Sequence, residues 1–205
     1  MPASSSTCGP ILEDIPPLPV CLQQQQVLLS RSTEKMFEDA ELSGVLSLAG
    51  RKLKEFPSNL FTKYDISDLV SADLSSNRLV DIPASICELQ SLESLRVRGN
   101  TLRRIPSNIA LLAALTFFDL SNNHLTQLPV ALFDLPLEIL LLTGNRLETI
   151  PREIRQLSST LTELDISCNH LRSLPADIAL LKMLRVLILR QNLLDQFPSV
   201  IIKIK

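Results

Sequence analysis

The sequence is poor in the residue types that most catalytic and cofactor sites need. Its 205 residues include five glycines, two histidines, four cysteines and no tryptophan. Neither glycine-rich phosphate-binding pattern, G-x-G-x-x-G or G-x-x-x-x-G-K-[ST], occurs. The cysteines are scattered, without the paired spacing of a zinc site or a disulfide framework; they are Cys8, Cys21, Cys87 and Cys168. We therefore expect four reduced thiols and no catalytic, cofactor-binding or metal-binding residues.

Positive charge is missing where targeting or nucleic-acid binding would need it. No Lys or Arg precedes Arg31, and the formal net charge is -2. A chain without a basic excess lacks the field that attracts nucleic acid or an anionic membrane. The start does not resemble a signal peptide, and the most apolar stretch, 135–142, is far shorter than the roughly 20 residues of a membrane-spanning helix. We expect no nucleic-acid partner, no membrane span and a cytoplasmic location.

Leucine is what the sequence has in abundance, at 42 of 205 residues. Many of the leucines follow a pattern, L-x-L-x-x-N-x-L-x-x-[LI]-P, that occurs seven times in phase, with Arg51 in the asparagine position of the first copy. The other six copies have their asparagines 22 to 24 residues apart, at Asn77, Asn100, Asn123, Asn145, Asn169 and Asn192. This period and pattern indicate leucine-rich repeats. They predict an α/β solenoid, a leucine-rich repeat horseshoe with short parallel strands on the concave face and about seven repeats.

Each copy can be interpreted physically. In Phe118-x-Leu120 the apolar residues alternate with a period of two, which predicts a short strand with these side chains inward. The amide of Asn123 donates and accepts, so we expect it to bond backbone groups left unpaired at the strand end and to stack as one rung of a buried ladder. Pro129 begins a convex segment. No repeat can bury its leucines alone, so neighbours must stack.

The N-terminal region predicts two further segments before the solenoid at 45–205. Residues 1–30 hold five prolines and a glutamine run, and we expect a disordered tail. The alternative is that the P-x-x-P motif at 16–19 is a polyproline ligand for an SH3-type domain. Residues 31–44 predict a capping helix that Ser32 begins and Gly44 ends. Its stripe of Met36, Phe37 and Ala40 is expected to cover the first leucine layer.

The seventh copy is followed by no polar capping repeat. We expect an exposed strand edge near Leu187 and Leu189, over a leucine layer that also contains Leu184 and has nothing above it. Three interpretations stay open: a fragment, a short product of a longer gene, or half of an end-to-end dimer.

The concave face is the predicted binding site, because solenoids bind partners on their strand face. Asp73, Arg96 and Asp119 fall on consecutive rungs about 4.8 Å apart and are expected to pair across strands. Beside them an exposed apolar group is expected, as at a protein-binding hot spot. The alternative is a face without a partner. The predicted partner-binding residues are Asp73, Arg96, Arg98, Phe117, Asp119, Ile139, Leu141, Glu163 and Asp165.

Catalytic interpretations have little support. His124 and His170 occupy the same repeat position about 10 Å apart, too far to share a metal, with Arg146 between them. Cys168 has only His170 within plausible reach. We expect that the chain is not an enzyme.

Four segments resemble one known family more closely than the generic repeat does. They are AELSGVLSLAGRKLKEFP (40–57), YDISDLVSADLSSNRLVDIP (64–83), LTFFDLSNNHLTQLP (115–129) and FDLPLEILLLTGNRLETIP (133–151). They resemble the repeat domain of the leucine-rich repeat and calponin-homology-domain family, over about residues 31–198. The resemblance implies a cytoplasmic scaffold of the actin cortex, with a guanine-nucleotide exchange factor or an actin-cortex protein as a partner. The 205 residues contain no calponin-homology domain, so actin binding through that domain is not implied.

Together these observations predict a non-catalytic protein–protein interaction scaffold that acts in cytoskeletal or small-GTPase signalling. The alternative is a regulatory or targeting subunit of an enzyme such as a phosphatase or a ubiquitin ligase.

Overall fold

The computed structural model describes residues 20–61 and 63–195, with side chains described from Ser32 onward. The chain divides into two units, Met1–Ser32 and Thr33–Lys205. The P-x-x-P motif and the last repeat proline, Pro198, lie outside the described residues, as do residues 1–19 of the predicted tail.

Helix α1 spans Val20–Ser43, so it begins well before the predicted N-cap at Ser32. Residues 20–30, which we expected to be disordered, are therefore helical. The reason is local, since this stretch consists mostly of Gln and Leu, which favour helix, and contains no proline. Proline cannot occupy a helix interior without breaking it, and α1 starts directly after Pro19.

Within the described residues, seven three-residue strands form one parallel sheet in chain order, which confirms the predicted solenoid. Equivalent positions of neighbouring repeats pair, for example Arg96 with Asp119 and Phe117 with Ile139. In β2, β3, β5 and β6 the middle residue is buried and its two neighbours are half-buried, whereas in β4 the last residue, Asp119, is buried as well. The strands are β1 (Val45–Ser47), β2 (Ser71–Asp73), β3 (Ser94–Arg96), β4 (Phe117–Asp119), β5 (Ile139–Leu141), β6 (Glu163–Asp165) and β7 (Val186–Ile188).

Short helical turns form the convex side, and each begins directly after a repeat proline. Proline suits this N-cap position because its fixed φ is compatible with the extended backbone there and the turn needs no N–H from it. The second repeat uses a one-turn α-helix, α2 (Ala84–Cys87). The others use 3-10 helices at Ser58–Leu60, Ser107–Leu111, Val130–Asp134, Arg152–Ser159 and Ala176–Leu180.

The leucine layers are closed in the middle of the solenoid and partly open at its end. Phe118 and Leu120 are completely buried, as are Leu164 and Ile166 in a later repeat. Leu184 is buried, whereas Leu187 and Leu189 are half-buried. The predicted opening of this layer is therefore partial.

An aromatic cluster covers the first layer. Phe37 of α1 is completely buried, and its ring centroid lies 6.1 to 6.2 Å from those of Phe56, Phe61 and Tyr64. The Tyr64 hydroxyl donates a hydrogen bond of 3.1 Å to Glu38 Oε1 of the same helix. Packing of α1 against the first repeat thus combines aromatic edge contacts with one polar anchor.

The six repeat asparagines use their amides in one common way. Asn123 Nδ2 donates to the carbonyl of Leu120 in its own repeat (3.0 Å) and to that of Val97 in the preceding repeat (3.1 Å). Its Oδ1 accepts from the N–H of Leu102, also in the preceding repeat. The same three bonds recur at the other five positions, so each amide joins two successive turns of backbone.

The residue before each asparagine has a left-handed backbone. Its φ lies between 53° and 70° in all seven copies, including the first, where Gly50 precedes Arg51. Glycine adopts this conformation without a steric penalty, but only Gly50, Gly99 and Gly144 are glycine here. Ser76, Asn122, Cys168 and Gln191 adopt it with a side chain. The sharp turn into the asparagine is therefore a requirement of the repeat and not of one residue type.

Replacing Asn123 with alanine is expected to lower the free energy of unfolding by about 1–3 kcal/mol, because it leaves buried backbone groups without partners. Asn192→Ala is the matched comparison. Asn192 makes the same bonds but is only half-buried, so water can replace part of what is lost and the cost should be smaller. Urea unfolding followed by circular dichroism measures both. A loss of less than a few tenths of a kcal/mol at Asn123 would contradict this structural role.

Candidate protein-binding face

The fold brings the nine predicted partner-binding residues onto one side of five neighbouring strands. Eight of them are outward positions of β2 to β6, and Arg98 follows two residues after β3. The strand register places Arg96 beside both Asp73 and Asp119, and Leu141 beside both Asp119 and Asp165. We call this set of nine residues the concave patch.

The expected pairing of Arg96 with its two aspartate neighbours is wrong. Within the described residues no salt bridge joins Arg96 to Asp73 or Asp119. Instead, each carboxylate accepts a 2.9 Å hydrogen bond from the backbone N–H of the serine two residues later. Such a local bond orders fewer side-chain torsions than a cross-strand ion pair does, so it competes well both at half-buried Asp73 and at buried Asp119. Asp73 and Asp119 therefore bond backbone N–H groups just after the ends of their own strands.

Asp165 makes the same bond and extends it. Its Oδ1 accepts from both the N–H and the hydroxyl of Ser167, and the Ser167 hydroxyl lies 3.2 Å from Thr143 Oγ1. These serines and this threonine are not among the residues that the sequence pattern predicted for the patch. A signal was present, because D-x-S occurs at 73–75, 119–121 and 165–167, each time in the same repeat position.

Arg96 contacts an aromatic ring that lies diagonally across from it on β4. Its guanidinium carbon lies 4.7 Å from the ring centroid of Phe117 on β4. This distance allows a cation–π contact, in which the positive charge is attracted to the ring face. A cation–π contact does not use up the N–H donors of the guanidinium, so they are able to donate to a bound molecule.

The apolar part of the concave patch is less exposed than expected. Phe117, Ile139 and Leu141 are each half-buried, packed side by side across β4 and β5. We expected them to be exposed, but neighbouring side chains such as Arg96 cover part of their surface. The exposed apolar surface of these three residues is therefore small, and we call it the apolar floor.

Charge is ordered along the patch. Arg96 and the exposed Arg98 stand on the β3 side of the apolar floor, whereas Glu163 and Asp165 stand on the β6 side. Strands β3 and β6 are three steps apart, about 14 Å at the usual strand spacing. Between these borders the patch holds one further charged residue, Asp119, which is buried. A molecule that crosses from β3 to β6 therefore meets positive charge, apolar surface and negative charge in that order.

The geometry offers no catalytic constellation in the described part of the chain. No group of three or more His, Cys, Asp or Glu residues there could hold a metal. The Cys168 thiol lies 2.7 Å from Gln191 Oε1, not from a histidine. Burial raises the pKa of the Cys87 thiol to about 11, which keeps it protonated and unreactive near neutral pH.

The repeats define the class of protein. The leucine rich repeat family model matches residues 67–125 and 136–194, more than half of the chain. The chain therefore belongs to the leucine-rich repeat family, whose members are protein-interaction scaffolds.

Within that class, the chain is similar to proteins that combine leucine-rich repeats with a calponin homology domain. It is 45% identical over 170 residues to the leucine-rich repeat and calponin homology domain-containing protein of Drosophila melanogaster, covering 83% of this chain and 21% of that protein. It is 47% identical over 138 residues to protein 1 of that name from Homo sapiens, covering 67% and 19%. The mouse DISP complex protein LRCH3 is 47% identical over 137 residues, covering 67% and 17%. The chain thus spans about a fifth of the length of these relatives.

Solved structures support the same class. The plant peptide hormone receptor RGFR1, in complex with RGF2, superposes with a TM-score of 0.66 at 29% identity, covering 83% of this chain and 28% of that chain. The Leptospira interrogans protein LIC12759 gives 0.60 at 28% identity, covering 78% and 52%. Among the helices of the described residues, none has the length and apolar character that crossing a membrane requires.

The raised pKa of Cys87 predicts a reactivity difference between two thiols. In single-cysteine variants that retain Cys87 or Cys168, iodoacetamide at pH 8 should alkylate folded Cys87 at least about a hundredfold more slowly than the urea-unfolded chain, because little thiolate forms. Half-buried Cys168 is the internal comparison and should react in the folded protein. The same shift should lower stability as pH rises from about 9 to about 11, where the unfolded thiol ionises and the folded one does not. Equal alkylation of folded and unfolded Cys87 would contradict this account.

Proposed function

We propose that the chain binds a partner protein on the concave patch and acts without catalysis, as a scaffold in cytoskeletal or small-GTPase signalling. The observation that carries the proposal is the half-buried apolar floor of Phe117, Ile139 and Leu141, bordered by charges of opposite sign at its two ends. Such a mixture of apolar anchors and oriented charge is typical of protein–protein hot spots.

The charge order specifies the kind of partner surface. Arg96 and Arg98 favour an acidic side chain, the floor favours an aliphatic or aromatic one, and Glu163 favours a basic one. The charged borders on β3 and β6 are about 14 Å apart, which suits an extended segment of roughly four residues, since an extended chain advances about 3.4 Å per residue. A partner segment with acidic, apolar and basic residues in that order fits the patch in one direction only.

The relatives support the choice of pathway. Proteins similar to this chain are named for repeats joined to a calponin homology domain, and one is named as a protein of the DISP complex. By this similarity, the proposed partners are a guanine-nucleotide exchange factor or a protein of the actin cortex, in the cytoplasm. The alternative is a regulatory or targeting subunit, in which case the captured partner would be the catalytic part of a phosphatase or a ubiquitin ligase.

Leu141→Asp and Arg96→Glu are expected to abolish partner capture while the chain stays folded. The first places a charge on the apolar floor, and the second reverses the charge beside Phe117. Affinity capture followed by quantitative mass spectrometry identifies the partner. A binding assay with that partner should then show a dissociation constant weakened by roughly thirtyfold or more for Leu141→Asp.

Leu180→Asp and Arg152→Glu make the same chemical changes on the convex side and are the matched controls. Leu180 is 50% exposed, so its replacement should be tolerated. Circular dichroism verifies that all four variants fold. Unchanged capture by the two concave variants would exclude this patch as the binding site.

A further inference from the structure

A second surface of the solenoid lies beyond the end of each strand, at the turns that follow the repeat asparagines. There the N–H of the residue after an asparagine donates to a carbonyl of the preceding repeat. His124 donates to Leu102 (2.8 Å), Arg146 to Leu125 (2.8 Å) and His170 to Leu147 (2.9 Å). This backbone ladder stacks the turns at regular spacing, so the side chains one and three residues after each asparagine form a continuous flank.

The flank is rich in positive charge. We call the following six residues the basic flank: Arg78, Arg103, His124, Arg146, His170 and Arg172. All four arginines are exposed, and within the described residues none of them is in a salt bridge. The neighbouring Arg104 differs, because it is paired with Asp81 at 3.0 Å. In the described part of the chain the acidic residues at these two repeat positions are Glu148 and Asp195, the second in the last repeat.

The positive charge surrounds a groove. Arg103, His124, Thr126 and Arg146 line a shallow depression that crosses three successive repeats. Its side chains offer guanidinium, imidazole and hydroxyl donors, and none of the four is acidic. The positive charges of Arg103 and Arg146 line the same groove and repel one another. A bound anion would reduce this repulsion as well as form new hydrogen bonds.

We propose that the basic flank binds an acidic peptide segment of a partner protein, separately from the concave patch. Arginine forks match carboxylates geometrically, and an extended peptide lying along the groove can present them to successive repeats. Binding of the four arginines to an anionic membrane is the alternative that the experiment below distinguishes. Nucleic acid fits the groove less well than an acidic peptide does. Bases stack on aromatic side chains, and the only ring among the four groove residues is the His124 imidazole.

Fluorescence anisotropy of the full chain with a labelled peptide of alternating Glu and Ser, at low ionic strength, tests the proposal. A peptide with Gln in place of Glu should not bind, and added salt should weaken binding of the acidic one. In the double variant Arg103→Glu/Arg146→Glu the dissociation constant should rise about tenfold, because two attractions become repulsions.

Arg152→Glu/Arg185→Glu is the matched control, as it makes the same change in net charge at exposed residues outside the flank. Binding that is weakened by the flank variant and not by the control supports the proposal. Absence of peptide binding, or equal weakening by both variants, would overturn it. Binding only to phosphatidylserine vesicles, lost in the flank variant, would also overturn it and assign the surface to a membrane. Circular dichroism of both variants excludes unfolding as the cause.

Discussion

Each turn of the solenoid leaves backbone groups in its interior, and the asparagine amide of the next repeat bonds them. One side chain reaches a carbonyl of its own repeat, a carbonyl of the preceding repeat and an N–H of that same preceding repeat. Because one rigid amide serves two turns, their separation is fixed at the strand spacing. The strand register, the leucine layers and the columns of outward side chains all depend on that separation. The asparagine hydrogen bonds therefore position both proposed binding surfaces, although no asparagine belongs to either surface.

The parts of the fold that follow from periodicity could be predicted from the sequence. Alternating apolar residues and evenly spaced asparagines determine the strands, their order and their register. The start of α1 could not be predicted in this way, because Ser32 is a good N-cap that a longer run of helix-favouring residues overrides. The left-handed backbone before each asparagine could not be predicted from the sequence either. Only three of the seven residues there are glycine, so the constraint comes from the turn between repeats.

At the concave patch, the sequence predicted which residues would be neighbours but not which of them would interact. Alternation assigns Asp73, Arg96 and Asp119 to consecutive rungs, and the structure places them there. Charge pattern alone then suggests ion pairs. It omits the competition from each aspartate's own backbone, two residues away, and from the Phe117 ring on the next strand. Sequence patterns give positions, whereas side-chain partners depend on every donor and acceptor within reach.

The net charge of the chain does not describe the charge of each of its surfaces. A net charge of -2 implies that no strong field extends far from the molecule. Yet four exposed arginines lie along one flank, while acidic residues such as Glu38, Asp39 and Glu41 lie on α1. Salt screens exposed charges beyond about 10 Å, so a bound segment responds to the charges beside it and not to the total. A balanced chain can therefore offer one face of mixed sign and another that is predominantly positive, each selective for a different partner surface.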